Sequence, residues 1–317
     1  MNLPLVSQLS RRDLLRTAAA GAIAAAAGPR LLAAEDDKLK AMWIDAHSHV
    51  WSPDTEKWPL ANNQTKADLA PPSFTPEELF KLAEPEGVGR VVLIQHHTYH
   101  GWDNRYLVDC VKRFPGRLVA VGMIDDTAAG PDAKMRELLP LGVRGIRITP
   151  RIRGSAWLEG PGMEAMWKCG AETGQAMCCL IDARDLPAVD AMCAKHPATP
   201  VVIDHFARIG ADGTIRDADL KALAALARHK KVTVKISAYY ALGKKQAPYE
   251  DLIPMIRRVL DAYGVERCMW ASDCPYQVQG GHNYRDSIAL IRDRIAGLSD
   301  GDRQWLLRKT AEQVYFA

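Results

Sequence analysis

A chain of 317 residues, 48% hydrophobic and 25% charged, has the composition of a globular enzyme, with material for one large domain or two small ones. Its formal net charge of +3 lacks the basic excess that a nucleic-acid or anionic-membrane footprint needs. No stretch after residue 35 is apolar for long enough to cross a bilayer, and no solenoid-length repeat or low-complexity tract interrupts the chain.

The first 34 residues differ from the rest. Ser10-Arg11-Arg12-Asp13-Leu14-Leu15 precedes an alanine-rich stretch, Thr17 to Ala27, and then Leu32-Ala33-Ala34. A basic start, a mild apolar core and a small-residue cleavage site predict a twin-arginine-type export signal over residues 1–34, a mature domain over 35–317 and a periplasmic location. Cleavage after Ala34 removes four arginines and one aspartate from 41 basic and 38 acidic residues, which leaves equal numbers of each. The seven cysteines (110, 169, 178, 179, 193, 268 and 274) are odd in number and form no Cys-x-x-Cys pair. They read as buried thiols, with Cys178-Cys179 part of a core, in a chain that does not depend on disulfides.

After the leader, short apolar strands alternate with amphipathic helices. Strands are expected at 42–46, 90–94, 118–124, 143–148, 176–181, 201–204, 232–236 and 268–271. Helices are expected at 76–84, 104–114, 133–139, 162–173, 186–195, 217–228 and 250–263, each bracketed by Gly, Pro or a capping residue. Eight strands in one uninterrupted β–α rhythm predict a single (β/α)8 barrel. A doubly wound sheet is the weaker choice, because no Gly-x-Gly-x-x-Gly follows the first strand and Gly280-Gly281 lies too late to hold phosphate. Residues 51–72 are expected as a long polar loop over the C-terminal mouth.

Barrel enzymes carry their chemistry at strand C-termini, so the polar groups there matter most. The first strand ends in Asp45-Ala46-His47-Ser48-His49, and strict alternation sends residues 45, 47 and 49 to one face. The second runs into Gln95-His96-His97-Thr98-Tyr99-His100. Those histidines are expected at the loop surface, with His97 as the exception. The fourth carries Arg144 and Arg147, the latter sharing the parity of Gly145, with Arg151 and Arg153 beyond. The sixth ends in Asp204-His205, the seventh places Lys235 and Ser237 on one face, and the eighth ends in Ser272-Asp273. Taken singly, Asp273 is an unremarkable helix cap and His205 an ordinary buried histidine. Three histidines and an aspartate at one end of strands 1, 6 and 8 are hard to attribute to chance.

Ile-Asp-Ala-His-Ser-His-Val-Trp, Gly-Val-Arg-Gly-Ile-Arg-Ile, Val-Ile-Asp-His and Met-Trp-Ala-Ser-Asp-Cys-Pro-Tyr resemble, in this order, the motifs of the amidohydrolase-related family. That branch of the amidohydrolase superfamily contains 2-pyrone-4,6-dicarboxylate lactonase, sugar-acid lactonases and nonoxidative decarboxylases. The resemblance runs from about residue 42 to residue 316 and implies a distorted (β/α)8 barrel with His47, His49, His205 and Asp273 as its site. Two features depart from the metal-rich members. Arginines replace the bridging lysine of strand 4, and Met177-Cys178-Cys179-Leu180 offers no histidine on strand 5. The resemblance therefore points to the metal-independent lactonase arm.

The residues suit that chemistry. Lactone hydrolysis needs a deprotonated water, a polarised carbonyl and a place for negative charge to rest. Asp273 is expected as general base, with His47, His49 and His205 bonding the carbonyl oxygen. Arg147, with Arg144, Arg151 or Arg153, would grip a carboxylate of a small anionic substrate. Asn104 and Tyr99 are expected as ring-oxygen contacts. The metal variant places one zinc on His47, His49 and Asp273, with water in the fourth position. The alternatives are a metal-dependent decarboxylase of an aromatic or unsaturated acid and a non-catalytic periplasmic binder.

Overall fold

The computed structural model describes residues 39–317, so the export signal expected over residues 1–34 lies outside the described residues. Within the unit Trp43–Ala317, eight strands run in chain order. They are β1 (Trp43–Ser48), β2 (Val88–Ile94), β3 (Leu118–Gly122), β4 (Val143–Ile148), β5 (Ala176–Cys179), β6 (Val201–Ile203), β7 (Val232–Ser237) and β8 (Cys268–Ala271). Each pairs in parallel with its successor. The ring closes where Asp273 N–H donates to the His47 carbonyl at 2.8 Å and His49 N–H to the Cys274 carbonyl at 2.7 Å.

One principal helix follows each strand: α1 (Pro76–Ala83), α2 (Arg105–Arg113), α3 (Pro131–Leu138), α4 (Pro161–Thr173), α5 (Leu186–Lys195), α6 (Asp217–Ala225), α7 (Ile253–Tyr263) and α8 (Tyr284–Ala289). Local sequence sets their starts. Thr75 caps α1 with its hydroxyl towards the Glu78 N–H, and the Glu78 carboxylate answers by accepting the Thr75 N–H at 2.6 Å. Proline at the first helical position fixes φ where no amide partner is needed.

Because helices cover the outside and side chains fill the inside, the strands are buried along nearly their whole length, and β6 and most of β2 and β3 read as apolar runs. A large apolar cluster lies between strands and helices, and a smaller one inside the barrel joins Ile44, Ala46, Val92, Ile94, Val121, Cys178, Val202 and Met269. The floor of that interior comes from the far end of the chain. Tyr315, fully buried, meets the Cys178 thiol at 3.5 Å and puts its ring 5.4 Å from Lys235 Nζ.

Strand 1 departs from simple alternation. The pairing of β1 with β2 shifts between Asp45 and Ser48, so three steps on β1 match two on β2. Asp45 therefore does not share a face with the histidines. Its carboxylate accepts from Ser272 N–H at 2.9 Å, Ser272 Oγ at 2.5 Å, Tyr284 OH at 2.9 Å and Ser48 Oγ at 3.1 Å, all at the β8–β1 seam. The bulge turns His47 into the barrel while Asp45 clamps its closure.

Candidate active site

A cavity of about 560 Å³ opens at the C-terminal ends of the strands, lined among others by His49, His96, Arg147, Arg151, His205, Tyr240, Asp273 and Tyr276. Asp273 is the hub. One carboxylate oxygen lies 3.4 Å from His47 Nε2 and 3.5 Å from His49 Nε2, and the other lies 3.8 Å from His205 Nε2. Strands 1, 6 and 8 thus bring together the four residues expected from the sequence. Burial raises the Asp273 pKa, and the neighbouring His205, the Tyr240 hydroxyl and Arg147 pull it part of the way back.

The histidines are neutral. Burial first, then Lys235 and His205, holds His47 well below the usual imidazole range. Burial and the Arg147 charge bring His49 to about 3. His49 Nδ1 lies 2.9 Å from the Ile94 carbonyl, which only accepts, so the ring proton sits there and Nε2 turns its lone pair to Asp273. His205 is fixed through Nδ1 to Ser237 Oγ at 2.8 Å, the pair partner of Lys235 on the inward face of β7.

Beneath the histidines lies a buried ion cluster that reaches the cavity through Arg147. Asp204 sits 3.1 Å from Lys235 Nζ and 3.5 Å from Arg147 Nη2. Burial works to raise the Asp204 pKa, but Lys235, His47 and Arg147 outweigh it and keep the carboxylate ionised. Lys235 Nζ also lies 3.2 Å from His47 Nδ1, and Arg147 Nη2 lies 3.2 Å from His47 Nε2. A Cβ on Gly145 would come 2.9 Å from the Ala176 carbonyl, so this strand face passes close to β5 before Arg147 reaches the cavity.

The turn after β6 is conformationally costly. His205, Phe206, Ala207 and Arg208 all have φ between 52° and 54°, a left-handed turn with no glycine in it. It aims His205 and Arg208 at the cavity.

Several expected contacts have other partners. The Asn104 amide stitches the end of β3, donating to the Met123 carbonyl at 2.8 Å and accepting the Met123 N–H at 2.9 Å. The Tyr99 hydroxyl donates to the Asp68 carbonyl and accepts the Ala70 N–H, both at 3.1 Å, and so anchors the 51–72 loop. Neither residue lines the cavity, and neither does any residue of that loop, which packs beside the mouth through Trp51 and Tyr99. Arg144 has the opposite parity to Arg147 and shares the outer face of Ile146 and Ile148. Arg153 pairs with Asp126 and Arg208 with Asp182, while Arg151 lines the cavity exposed. His96, expected at the surface, is buried and lines the cavity; it shares the inward parity of Val92 and Ile94. Tyr240 lies in no motif of the sequence, and Tyr276, though it closes the Met-Trp-Ala-Ser-Asp-Cys-Pro-Tyr motif, was not among the expected site residues.

The donor atoms of His47, His49 and Asp273 lie within 4.8 Å of one another, so the triad can hold one divalent ion by type and spacing. The His49 Nδ1–carbonyl bond is the kind that orients a ligating imidazole. Arg147 counts the other way, since its guanidinium addresses the His47 nitrogen that such an ion would use.

The amidohydrolase family profile matches residues 44–317. The chain is 31% identical over 246 residues to L-fucono-1,5-lactonase of Burkholderia ambifaria, covering 75% of this chain and 82% of that protein. It is 30% identical to 4-sulfomuconolactone hydrolase of Rhizobium radiobacter, covering 75% and 76%. It is also 30% identical to 2-pyrone-4,6-dicarboxylate hydrolase of Comamonas testosteroni, covering 80% and 83%. Among solved structures, a zinc-bound amidohydrolase of Burkholderia multivorans superposes with a TM-score of 0.72 at 23% identity, over 87% of this chain and 99% of that one.

Proposed function

This chain belongs to the amidohydrolase family, and from that premise we propose that it is a lactonase, a hydrolase that opens a small carboxylated or sugar-acid lactone with water. The observation that carries the reading is the placement of the buried Asp273 carboxylate within 3.4–3.8 Å of ring nitrogens of His47, His49 and His205 at the cavity wall. A carboxylate near its ordinary pKa is a feeble base, and burial strengthens it. Asp273 takes a proton from water. The ring nitrogens of His47 and His205 and the Arg147 guanidinium stand beside it, where the carbonyl oxygen gains negative charge. Three relatives named for lactone hydrolysis support the reading.

The substrate is read as anionic. Arg147 and Arg151 line the cavity, and two of the relatives are named for substrates bearing sulfonate or carboxylate groups. A divalent ion, when bound, would be held by His47, His49 and Asp273 and would supply Lewis acidity and a more acidic water. The proposed reaction does not require it, because Arg147 already sets positive charge against His47 Nε2. A decarboxylase would need the metal to grip its substrate, and β5 contributes no histidine to hold it.

Export through the twin-arginine pathway, with a mature barrel from residue 35, remains a proposal resting on the arginine pair and the alanine-rich stretch after it. Fractionation of cells expressing the full chain, beside an Arg11→Lys/Arg12→Lys variant, tests it. Cytoplasmic retention of both would end it.

The test of function is acid release from a panel of carboxylated, sulfonated and sugar-derived lactones, followed with a pH indicator. Hydrolysis of at least one class is expected. No release from any of them overturns the lactonase reading.

A further inference from the structure

Two tyrosines line the cavity, and their hydroxyls are differently engaged. Tyr240 OH donates to Asp273 Oδ2 at 2.7 Å, so its proton is committed to the base. Tyr276, three residues past Asp273, lies 2.5 Å from His96 Nε2 at the end of β2. His96 is buried, and that burial disfavours the charged imidazole. Trp51 and Tyr99 pack on its ring at 5.2 and 4.3 Å, and its Nδ1 is buried with no hydrogen-bond partner.

A neutral imidazole has one ring proton to place. On Nδ1 it would be a buried N–H without an acceptor, which proteins avoid more strictly than an unused lone pair. On Nε2 it is donated to the Tyr276 oxygen. Tyr276 then accepts from His96 and keeps its own O–H for the cavity, which both residues line together with Asp273 and His49.

Resting on the lactonase reading, we propose that Tyr276, held by His96, donates the proton that the ring oxygen needs as the lactone C–O bond breaks. The water oxygen bonds to the carbonyl carbon while Asp273 takes one water proton. The bond from that carbon to the ring oxygen then breaks, and the Tyr276 proton moves onto the ring oxygen, which becomes the free hydroxyl. The resulting phenolate is stabilised by the His96 Nε2–H. The proton held by Asp273 returns to Tyr276 through solvent, so one water is consumed and both side chains are restored. Tyr276 is a catalytic residue in this scheme, and His96 is its positioning residue.

The test compares two substrates that differ in the oxygen that leaves. γ-Butyrolactone-γ-carboxylate expels an alkoxide and needs the proton; a carboxylated dihydrocoumarin expels a phenolate and scarcely does. Tyr276→Phe should lower kcat on the first by about a hundredfold or more and on the second by less than about tenfold, with KM little changed. His96→Asn should follow the same order with smaller losses. The ratio of the two losses does not depend on how much variant protein folds, so a merely structural role cannot mimic it. Equal losses on both substrates, or a larger loss on the dihydrocoumarin, overturn the assignment. If the unmodified enzyme opens no lactone of the wider panel, the lactonase reading falls and the assignment with it. If it opens others but not this pair, the same comparison of alkoxide and phenolate leaving groups is made on lactones that it does open.

Discussion

The Tyr240 hydroxyl donates to Asp273 Oδ2 at 2.7 Å and stabilises the charged form of the residue read as the base. Burial raises the Asp273 pKa and this bond restrains the rise. Activity that needs the ionised carboxylate is absent at low pH and grows as pH passes the Asp273 pKa. The acid limb of kcat/KM is expected to have its midpoint above the ordinary aspartate value of about 3.9. Tyr240→Phe removes a stabiliser of the anion, so the limb should move further up, by up to about one unit. A limb that stays put or moves down in the variant contradicts the assignment.

Replacing Asp273 by Asn keeps an acceptor for Tyr240 and the backbone bond to His47 that closes the barrel. Thermal unfolding should be nearly unchanged, while kcat falls by about a hundredfold to ten-thousandfold. Turnover close to that of the parent would remove Asp273 from the mechanism.

Enzyme purified without chelator should carry well under one zinc per chain and keep its activity after prolonged treatment with dipicolinate. Loss of activity that zinc restores would transfer the role of water activation to an ion on His47, His49 and Asp273.

Arg151 is exposed at the cavity wall, so it can be changed without disturbing the buried cluster. Arg151→Ala should raise KM for carboxylated lactones about three- to tenfold and leave neutral lactones alone. The effect should shrink in high salt, as an exposed charge is screened. An equal change for both substrate classes would argue against an anion-binding role.

Lys235 and Asp204 are both fully buried, 3.1 Å apart. Lys235→Met strands the carboxylate and should cost about 3–5 kcal/mol in urea unfolding. Adding Asp204→Asn should recover at least half of that. A double variant no more stable than Lys235→Met would show that the pair is not coupled.

Much of the barrel could be read in the chain because the strands are short and largely apolar and most helices bring their own boundary signals. β4, β8 and α5 match the expected limits residue for residue. The four central residues could be read because they sit at strand ends, where position implies a shared destination. Failures came where the backbone leaves its regular period. The bulge after Asp45 broke the parity that would have grouped it with His47. The left-handed turn at His205–Arg208 carries no glycine to announce it. His96 was recoverable from its parity with Val92 and Ile94, had the inward face of β2 been known. Tyr240 lies in the three-residue 3-10 turn Tyr239–Ala241, too short to give a period from which to reason.

The position of Tyr315 bears on how the molecule is made. Its ring lies below Lys235 and its hydroxyl meets Cys178, so the barrel floor comes from a segment that follows the last strand. Synthesis runs from the N-terminus, and β8 ends at Ala271, 44 residues before that tyrosine. A nascent chain can therefore hold all eight strands outside the ribosome while the lysine–aspartate pair still stands over an open floor. Sealing the barrel floor thus waits on a residue made well after the last strand, at the opposite end from the cavity.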